Sequence, residues 1–284
     1  MGLRIGTRGS ALALVQAHWV AERLGGDRAG VEIVEIATAG DRGLAIGDKS
    51  RWVSALEAAL LDGSVDVAVH SAKDVPGELA AGTVLAAVPE REDVADVLIG
   101  SLGPRIGTAS LRRAAQLRAM DPSLSITEIR GNVDTRLRKL DAGEYDGIVL
   151  ARAGLSRLGI VRATKTLDLV PAPGQGALAV QTRLDRADEL AGLSDPEALA
   201  CVTAERELAA ALGASCHTPM GAVSRRVSGS DLELTGWVGL PDGSEWIHDV
   251  LVGRPDRVAA ELAARMTSVG ARELLARAEQ AVTA

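Results

Sequence analysis

The sequence predicts an α/β protein: two doubly wound lobes followed by a small α+β domain. Three observations carry that prediction. Short β-branched runs alternate with amphipathic helical stretches over residues 3–71, and the same alternation returns over 105–159. Beyond residue 195 the alternation stops, and a helix leads into hairpin-like strands and one more helix.

In the first lobe "LRIGT" (3–7) reads as a strand. It runs into "SALALVQAHWVAERL" (10–24), where Leu12, Val15, Trp19 and Val20 are expected on one helical face. A second strand is expected over "VEIVEIAT" (31–38), a helix ended by glycine over "WVSALEAALLDG" (52–63), and a largely apolar strand over "VDVAVHS" (65–71). This βαβαβ order is the sequence form of a parallel sheet. "TVLAAVPEREDVADVLIG" (83–100) sets a proline and a charged stretch before another strand, as a crossover into a second lobe requires. The pattern then repeats over 105–120, 125–143 and 146–159, and "PAPGQGALAVQ" (171–181) reads as a turn and a strand that returns the chain to the first lobe. The tail reads as a helix (197–212), strands within 231–253 joined at Pro241-Asp242-Gly243, and a final amphipathic helix (255–280).

The chain has 284 residues, enough for two or three domains with buried cores. Net charge −7 argues against a protein that coats nucleic acid, and no apolar run reaches the length of a membrane span. The expected ligand is therefore small. The two cysteines, Cys201 and Cys216, have no metal-ligand spacing, and no charged segment with a long apolar run opens the chain. A reducing cytoplasm is the expected compartment, with no metal. Only four of 31 basic residues are lysines, Asn132 is the sole asparagine and phenylalanine is absent. Such a bias fits a GC-rich genome, and it makes each lysine inside a motif more noticeable.

The chemistry gathers at junctions between strands and helices. Thr7-Arg8-Gly9-Ser10, Thr108-Ala109-Ser110-Leu111-Arg112-Arg113 and Arg130-Gly131-Asn132-Val133-Asp134-Thr135-Arg136 share one character. In a doubly wound sheet such turns lie at the carboxyl edge of the strands, where ligands bind. Ser10, Ser110 and Asn132 or Asp134 are candidate N-caps; helix starts attract anions, and a guanidinium matches a carboxylate with two parallel hydrogen bonds. One arginine in a first helical turn is ordinarily a solvated surface residue. Three junctions of the same kind point instead to a polyanion site.

"HSAKDVP" (70–76) places Lys73 and Asp74 side by side after an apolar strand, with Pro76 opposing continuation into a helix. A cation beside a carboxylate holds it ionised, ready to accept N–H groups or to stabilise a developing cation. Taken alone, the pair is equally an ordinary ion pair worth little. "GASCHTPMGA" (213–222) puts Cys216 in a Gly/Ser/Pro-bounded turn beside His217, whereas Cys201 sits among apolar helical neighbours. A loop thiol is open to an electrophile. With no triad partner legible, Cys216 reads better as a permanent attachment point than as a turnover nucleophile.

Taken together, "RIGTRGSALALVQA", "VAVHSAKDVP", "IGTASLRRAAQL", "RGNVDTRLRKL", "AGLSRLG", "PAPGQGALAV" and "CHTPMGA" resemble, in order, the porphobilinogen deaminase (hydroxymethylbilane synthase) family of tetrapyrrole and heme biosynthesis. The resemblance implies two periplasmic-binding-protein-like (type II) doubly wound lobes around a cleft plus a small α+β third domain, with boundaries at 1–89 and 174–193, 94–170, and 195–284. It implies a dipyrromethane cofactor attached through a thioether to Cys216. Porphobilinogen units are added to it head to tail with loss of ammonia, and water releases the linear tetrapyrrole. By the same resemblance Asp74 is the catalytic carboxylate, and Lys73, Ser71, Thr108, Ser110, Arg112 and Arg113 hold the cofactor. Arg8, Ser10, Gln16, Arg130, Asn132, Arg136, Arg157, Gln175 and Lys49 hold substrate. Each pyrrole bears an acetate and a propionate, so a cationic cleft inside an acidic protein is expected. The segment "AIGDKSRW" (45–52) departs from the family's "GGKG": Lys49 matches one lysine, Ala45 stands where another is usual, and Trp52 is near the family's aromatic. The expected partner is the small-molecule substrate alone, with no nucleic acid or membrane, and the chain is expected to be a monomer.

Two other readings remain open at this level. Paired α/β lobes also make solute-binding modules, which bind reversibly and carry no adduct. A different thiol enzyme using Cys216 would have a low-pKa thiol that alkylating reagents block in the resting protein.

Overall fold

Strands and helices alternate along the chain in the order β1 (Arg4–Thr7), α1 (Ala11–Arg23), β2 (Glu32–Glu35), α2 (Ser50–Leu61), β3 (Val67–Ser71), β4 (Thr83–Ala87), β5 (Asp96–Gly100), β6 (Ile106–Gly107), α3 (Leu111–Met120), β7 (Ile126–Thr127), α4 (Val133–Asp141), β8 (Gly147–Ala151), α5 (Arg152–Arg157) and β9 (Thr164–Thr166). They continue as β10 (Leu178–Arg183), α6 (Pro196–Leu212), β11 (Met220–Arg226), β12 (Leu232–Gly239), β13 (Trp246–Gly253), α7 (Val258–Ser268) and α8 (Ala271–Thr283). The structure, a computed structural model, describes residues 2–38, 50–215 and 217–283. Two compact units divide the chain: Met1–Glu92 with Gly176–Val202, and Asp93–Gln175 with Thr203–Ala284.

The first unit holds a five-stranded sheet of order β2-β1-β3-β10-β4. Strands β1, β2 and β3 are parallel, and β10 runs antiparallel to both β3 and β4. Apolar residues on both faces of β3 explain why helices cover both sides. Val67 and Val69 pack with Ala17 and Val20 of α1, whereas Ala68 packs with Leu56 and Leu60 of α2. In α1 the buried stripe is Gln16, Ala17, Val20 and Ala21, and Val15 is 37% exposed, which corrects the face expected from the sequence. A polar residue takes an inward position because its amide finds a partner there.

The second unit repeats the same order, β7-β6-β8-β5-β9, with β5 antiparallel to β8 and β9. Leu117 of α3 packs on Leu98 and Val149, while Leu137 of α4 and Leu155 of α5 pack with Val97, Ile148 and Leu150 on the opposite face. Both units are thus doubly wound as expected, but their sheets are mixed rather than wholly parallel. In each, the antiparallel strand, β5 or β10, is the first one after the chain has passed from one unit to the other. "PAPGQGALAVQ" does return the chain to the first sheet, through β10.

The same second unit contains an antiparallel three-stranded sheet, β11-β12-β13. Leu232, Leu234 and Val238 of β12 are buried, as are Leu262 and Met266 of α7 and Leu274 and Leu275 of α8. The single helix expected over 255–280 is two helices, because Gly270 takes φ +95°, a left-handed conformation that ends a helix. Glu205 of α6, fully buried, accepts the N–H groups of Gly174 at 2.8 Å and Ser224 at 2.7 Å. Close packing reinforces that tie: a Cβ at Gly221 would sit 2.6 Å from the carbonyl oxygen of Val170.

Candidate functional site

In the first unit the register pairs Ile5 with Val67 and Gly6 with Ala68, so the turns after β1 and β3 emerge together at the carboxyl edge. Arg8, Gly9 and Ser10 form the first turn. Ser10 is the N-cap of α1, accepting the N–H of Ala13 at 3.3 Å. After β3, Ala72–Asp74 form a 3₁₀ turn, and Val75 returns to extended backbone (ψ 128°), the conformation favoured before Pro76. Ala72 and Val75 are buried; Lys73 and Asp74, between them, are half-buried. The buried amide of Gln16 donates to the Ser71 hydroxyl at 3.0 Å and so pins the end of β3 to α1.

The opposite face of β3 carries a buried polar network that the sequence did not announce. Gln181 of β10 donates through Nε2 to Glu57 Oε1 (3.0 Å) and Thr83 Oγ1 (2.8 Å). Its Oε1 is therefore the acceptor for His70 Nε2 at 3.0 Å. Glu57 also accepts the N–H of Ala80 at 2.9 Å, and Thr83 gives its hydroxyl proton to the Ala80 carbonyl at 2.8 Å. The direction of each bond is thereby set, and His70 carries its proton on Nε2.

Burial pushes the His70 imidazole down to about 4 from its usual 6.5; Arg8 adds to the shift, and Gln181, Glu57 and Asp74 oppose it. The ring is neutral at pH 7. The unfolded chain takes up this proton near 6.5, the folded chain only near 4. Stability from this group is complete above the unfolded value and is lost as the pH falls through that window, by on the order of 3 kcal/mol. Denaturant titrations between pH 4 and 7 should therefore show the wild-type protein losing stability more steeply than His70→Gln; parallel curves would contradict a neutral buried imidazole.

In the second unit the carboxyl edge is reached from an unexpected direction. Because β5 is antiparallel to β8, its first residue, Asp96, lies opposite Ala151, the last residue of β8. Asp96 is 0% exposed, and Arg112 and Arg113 of α3 are 5% exposed. Arg112 Nη1 donates to Asp96 Oδ2 at 2.7 Å and to the Val170 carbonyl at 2.8 Å. Arg113 Nη2 and Nε donate to Asp96 Oδ1 at 2.7 and 2.9 Å, and Arg113 Nη1 donates to the Val149 carbonyl at 3.0 Å. Fully buried Gln175 donates to Asp96 Oδ1 at 2.8 Å and to the Val94 carbonyl at 2.7 Å.

Burial opposes ionisation of Asp96, yet the guanidiniums of Arg113 and Arg112 overcome it and hold the carboxyl well below the usual carboxylate range. One carboxylate against two guanidiniums leaves the cluster a net positive charge. Arg112 Nε is buried without a hydrogen-bond partner. Asp96 was not singled out in the sequence; its only signal is a charge beginning the apolar run "DVLIG".

Thr108, Ser110, Arg130, Asn132 and Arg136 follow β6 and β7 on this edge of the second unit. Thr108 is buried after β6, and its Oγ1 accepts the N–H of Ser110 at 3.1 Å. Ser110 is the N-cap of α3, accepting the N–H of Arg113 at 3.4 Å. Arg130, exposed, pairs with Glu128 at 2.7 Å. Asn132 occupies the N-cap of α4 but closes it with no side-chain bond, and Arg136 Nε donates to the Gly131 carbonyl at 2.7 Å. Arg157 is half-buried at the end of α5. Lys49, Ala45 and Cys216 lie outside the described residues. Among the described residues, no cluster of His, Cys, Asp and Glu could hold a metal ion, and no helix is long and apolar enough to cross a membrane.

The family model for "Porphobilinogen deaminase, dipyromethane cofactor binding domain" matches residues 3–191, and that for the "Porphobilinogen deaminase, C-terminal domain" matches 199–268. The chain is similar to proteins named porphobilinogen deaminase from Xanthomonas campestris pv. campestris (47% identical, covering 96% of this chain and 98% of that protein) and Methylobacillus flagellatus (41%, 96% of each). A third, from Deinococcus deserti, is 42% identical over 95% of this chain and 97% of its own length. Among solved structures, a periplasmic substrate-binding protein from Coxiella burnetii aligns loosely, with TM-score 0.41 and 19% identity over 69% of this chain and 94% of that one. The lobe architecture rests on the repeated strand orders instead. With family models over most of its length and relatives above 40% identity from end to end, the chain belongs to the porphobilinogen deaminase family of transferases and carries that family's dipyrromethane cofactor-binding domain.

Proposed function

We propose that this chain joins four porphobilinogen molecules head to tail, with release of ammonia at each step, on a dipyrromethane primer held by a thioether to Cys216. Water then frees the linear tetrapyrrole. The observation that best supports the reading is the pairing of β1 with β3, which brings Arg8 and Ser10 out at the same edge as Lys73 and Asp74.

A pyrrole bearing an acetate and a propionate needs cationic and N–H donors. Arg8, Ser10, Gln16, Lys49, Arg130, Asn132, Arg136 and Arg157 are the groups we assign to substrate, whereas Gln175, expected with them, is fully buried and spends its amide on Asp96 and the Val94 carbonyl. Asp74 accepts the pyrrole N–H. When ammonia leaves the aminomethyl carbon, positive charge spreads over the substrate ring, and a fixed carboxylate beside it lowers the energy of that charged state. One carboxylate serves every cycle because each forms the same bond.

The donor set also suits the cofactor. Arg112 Nε is a buried donor still lacking an acceptor, and the Asp96 cluster keeps a net positive charge, so a carboxylate is the complement this region calls for. Ser71, Lys73, Thr108, Ser110, Arg112 and Arg113 are the residues that would hold it. When bound, the dipyrromethane supplies the free pyrrole α-carbon from which the chain grows. We further infer three domains, 1–89 with 174–193, 94–170 and 195–284, which the three sheets support, and a monomer working in the cytoplasm without membrane partners; the net charge of −7 speaks against a nucleic-acid partner.

Intact mass of the purified protein tests the tether. The wild-type chain should exceed its sequence mass by two linked pyrroles, and Cys216→Ser should lose the surplus. Active protein of unmodified mass would overturn the assignment.

A further inference from the structure

We propose that the buried pair His70–Gln181 is a positioning element for the reaction, fixing the end of β3 so that the Asp74 carboxylate leaves it in one direction; this rests on the reading of Asp74 as the catalytic carboxylate. His70, Gln181 and Glu57 are all buried, on the face of β3 where Ala68 packs with Leu56 and Leu60. A leucine or valine at position 70 would fill the same space without desolvating a polar ring, so the network has to be explained by what it fixes.

What it fixes is the last turn of β3 before the site. Alternation along the strand sends Ser71 toward α1, where Gln16 bonds it, and His70 toward α2, where Gln181 hands it on to Glu57. Hydrogen bonds therefore hold the strand end from both faces. Beyond it the chain has no slack: the N–H of Ala72 bonds the Ala177 carbonyl at 3.0 Å, the N–H of Val75 bonds the Ala72 carbonyl at 3.2 Å, and both side chains are buried. A shift at His70 is passed to Asp74, four residues on. The charges of Asp74 and Arg8 both reach the imidazole, in opposite senses.

The test is steady-state kinetics of the holoenzyme with porphobilinogen, for His70→Leu, Gln181→Met, His70→Gln, Asp74→Asn and the double variant His70→Leu/Asp74→Asn. His70→Leu and Gln181→Met should each lower kcat about tenfold with KM within about twofold, the signature of a displaced catalytic group rather than lost binding. His70→Gln, which offers an amide N–H near the position of Nε2, should recover most of the loss. In the Asp74→Asn background His70→Leu should cost nothing further, since the group it positions is already gone. Wild-type kcat in both His70→Leu and Gln181→Met, equal damage in His70→Gln and His70→Leu, or losses that add to Asp74→Asn would each overturn the proposal. So would failure of both single variants to fold, which would assign the pair to stability alone. Full activity of Asp74→Asn would instead remove the reading of Asp74 itself, so the two failures are distinguishable.

Discussion

Asp74→Asn is expected to leave the protein folded and to lower turnover by roughly 10²–10⁴-fold. Asparagine matches aspartate in shape and keeps an acceptor oxygen, so substrate can still bind. What it lacks is the negative charge that opposes the cation formed as ammonia departs. The turn that carries the residue is anchored by buried Ala72 and Val75 rather than by Asp74, so its backbone should persist. Circular dichroism and a thermal melt check the fold, and kcat checks the chemistry. A variant of normal stability and normal turnover would take Asp74 out of the reaction.

Asp96→Ala is expected to be the most damaging single change in the second unit, destabilising it by about 3–5 kcal/mol. The figure follows from what would be left behind: two guanidiniums, each 5% exposed, with no carboxylate between them, and the Gln175 amide without one of its acceptors. Such groups stay charged, so they cannot escape the cost by neutralising. They must instead admit water or swing outward, and either response displaces the groups assigned to the cofactor. Both effects are measurable, the first as a lowered denaturant midpoint and the second as a reduced fraction of protein carrying the two-pyrrole mass. If the variant were as stable as the wild type and fully loaded, Asp96 would be neither the keystone of the cluster nor the organiser of its arginines.

Much of this was legible in the sequence. The alternation of strands and helices, the caps Ser10 and Ser110, and the return of the chain through "PAPGQGALAVQ" follow from local pattern, because periodicity and capping are properties of neighbours. Strand direction is not such a property. Nothing in the alternation of β5 or β10 says that they run against their neighbours, and that reversal is what carries Asp96 to the carboxyl edge. Likewise the partner of His70 lies 111 residues away, so a polar residue in an apolar strand gave no hint of its network. The helical face drawn through Val15 failed for the same reason: Gln16 is buried only because Ser71, on another element, meets it. The break between α7 and α8 was within reach, since Gly270 is visible in the sequence, but a glycine ends a helix only where the backbone takes the left-handed region.

The central claim is that tetrapyrrole synthesis proceeds on a chain bonded to Cys216 and depends on the Asp74 carboxylate. Mass spectrometry of the whole protein, sampled seconds after porphobilinogen is added, addresses it most directly. Wild-type protein should display a short series of heavier species, each one pyrrole unit above the last, and Asp74→Asn should stay at its starting mass. Free tetrapyrrole accumulating while the wild-type mass never changes would contradict the account.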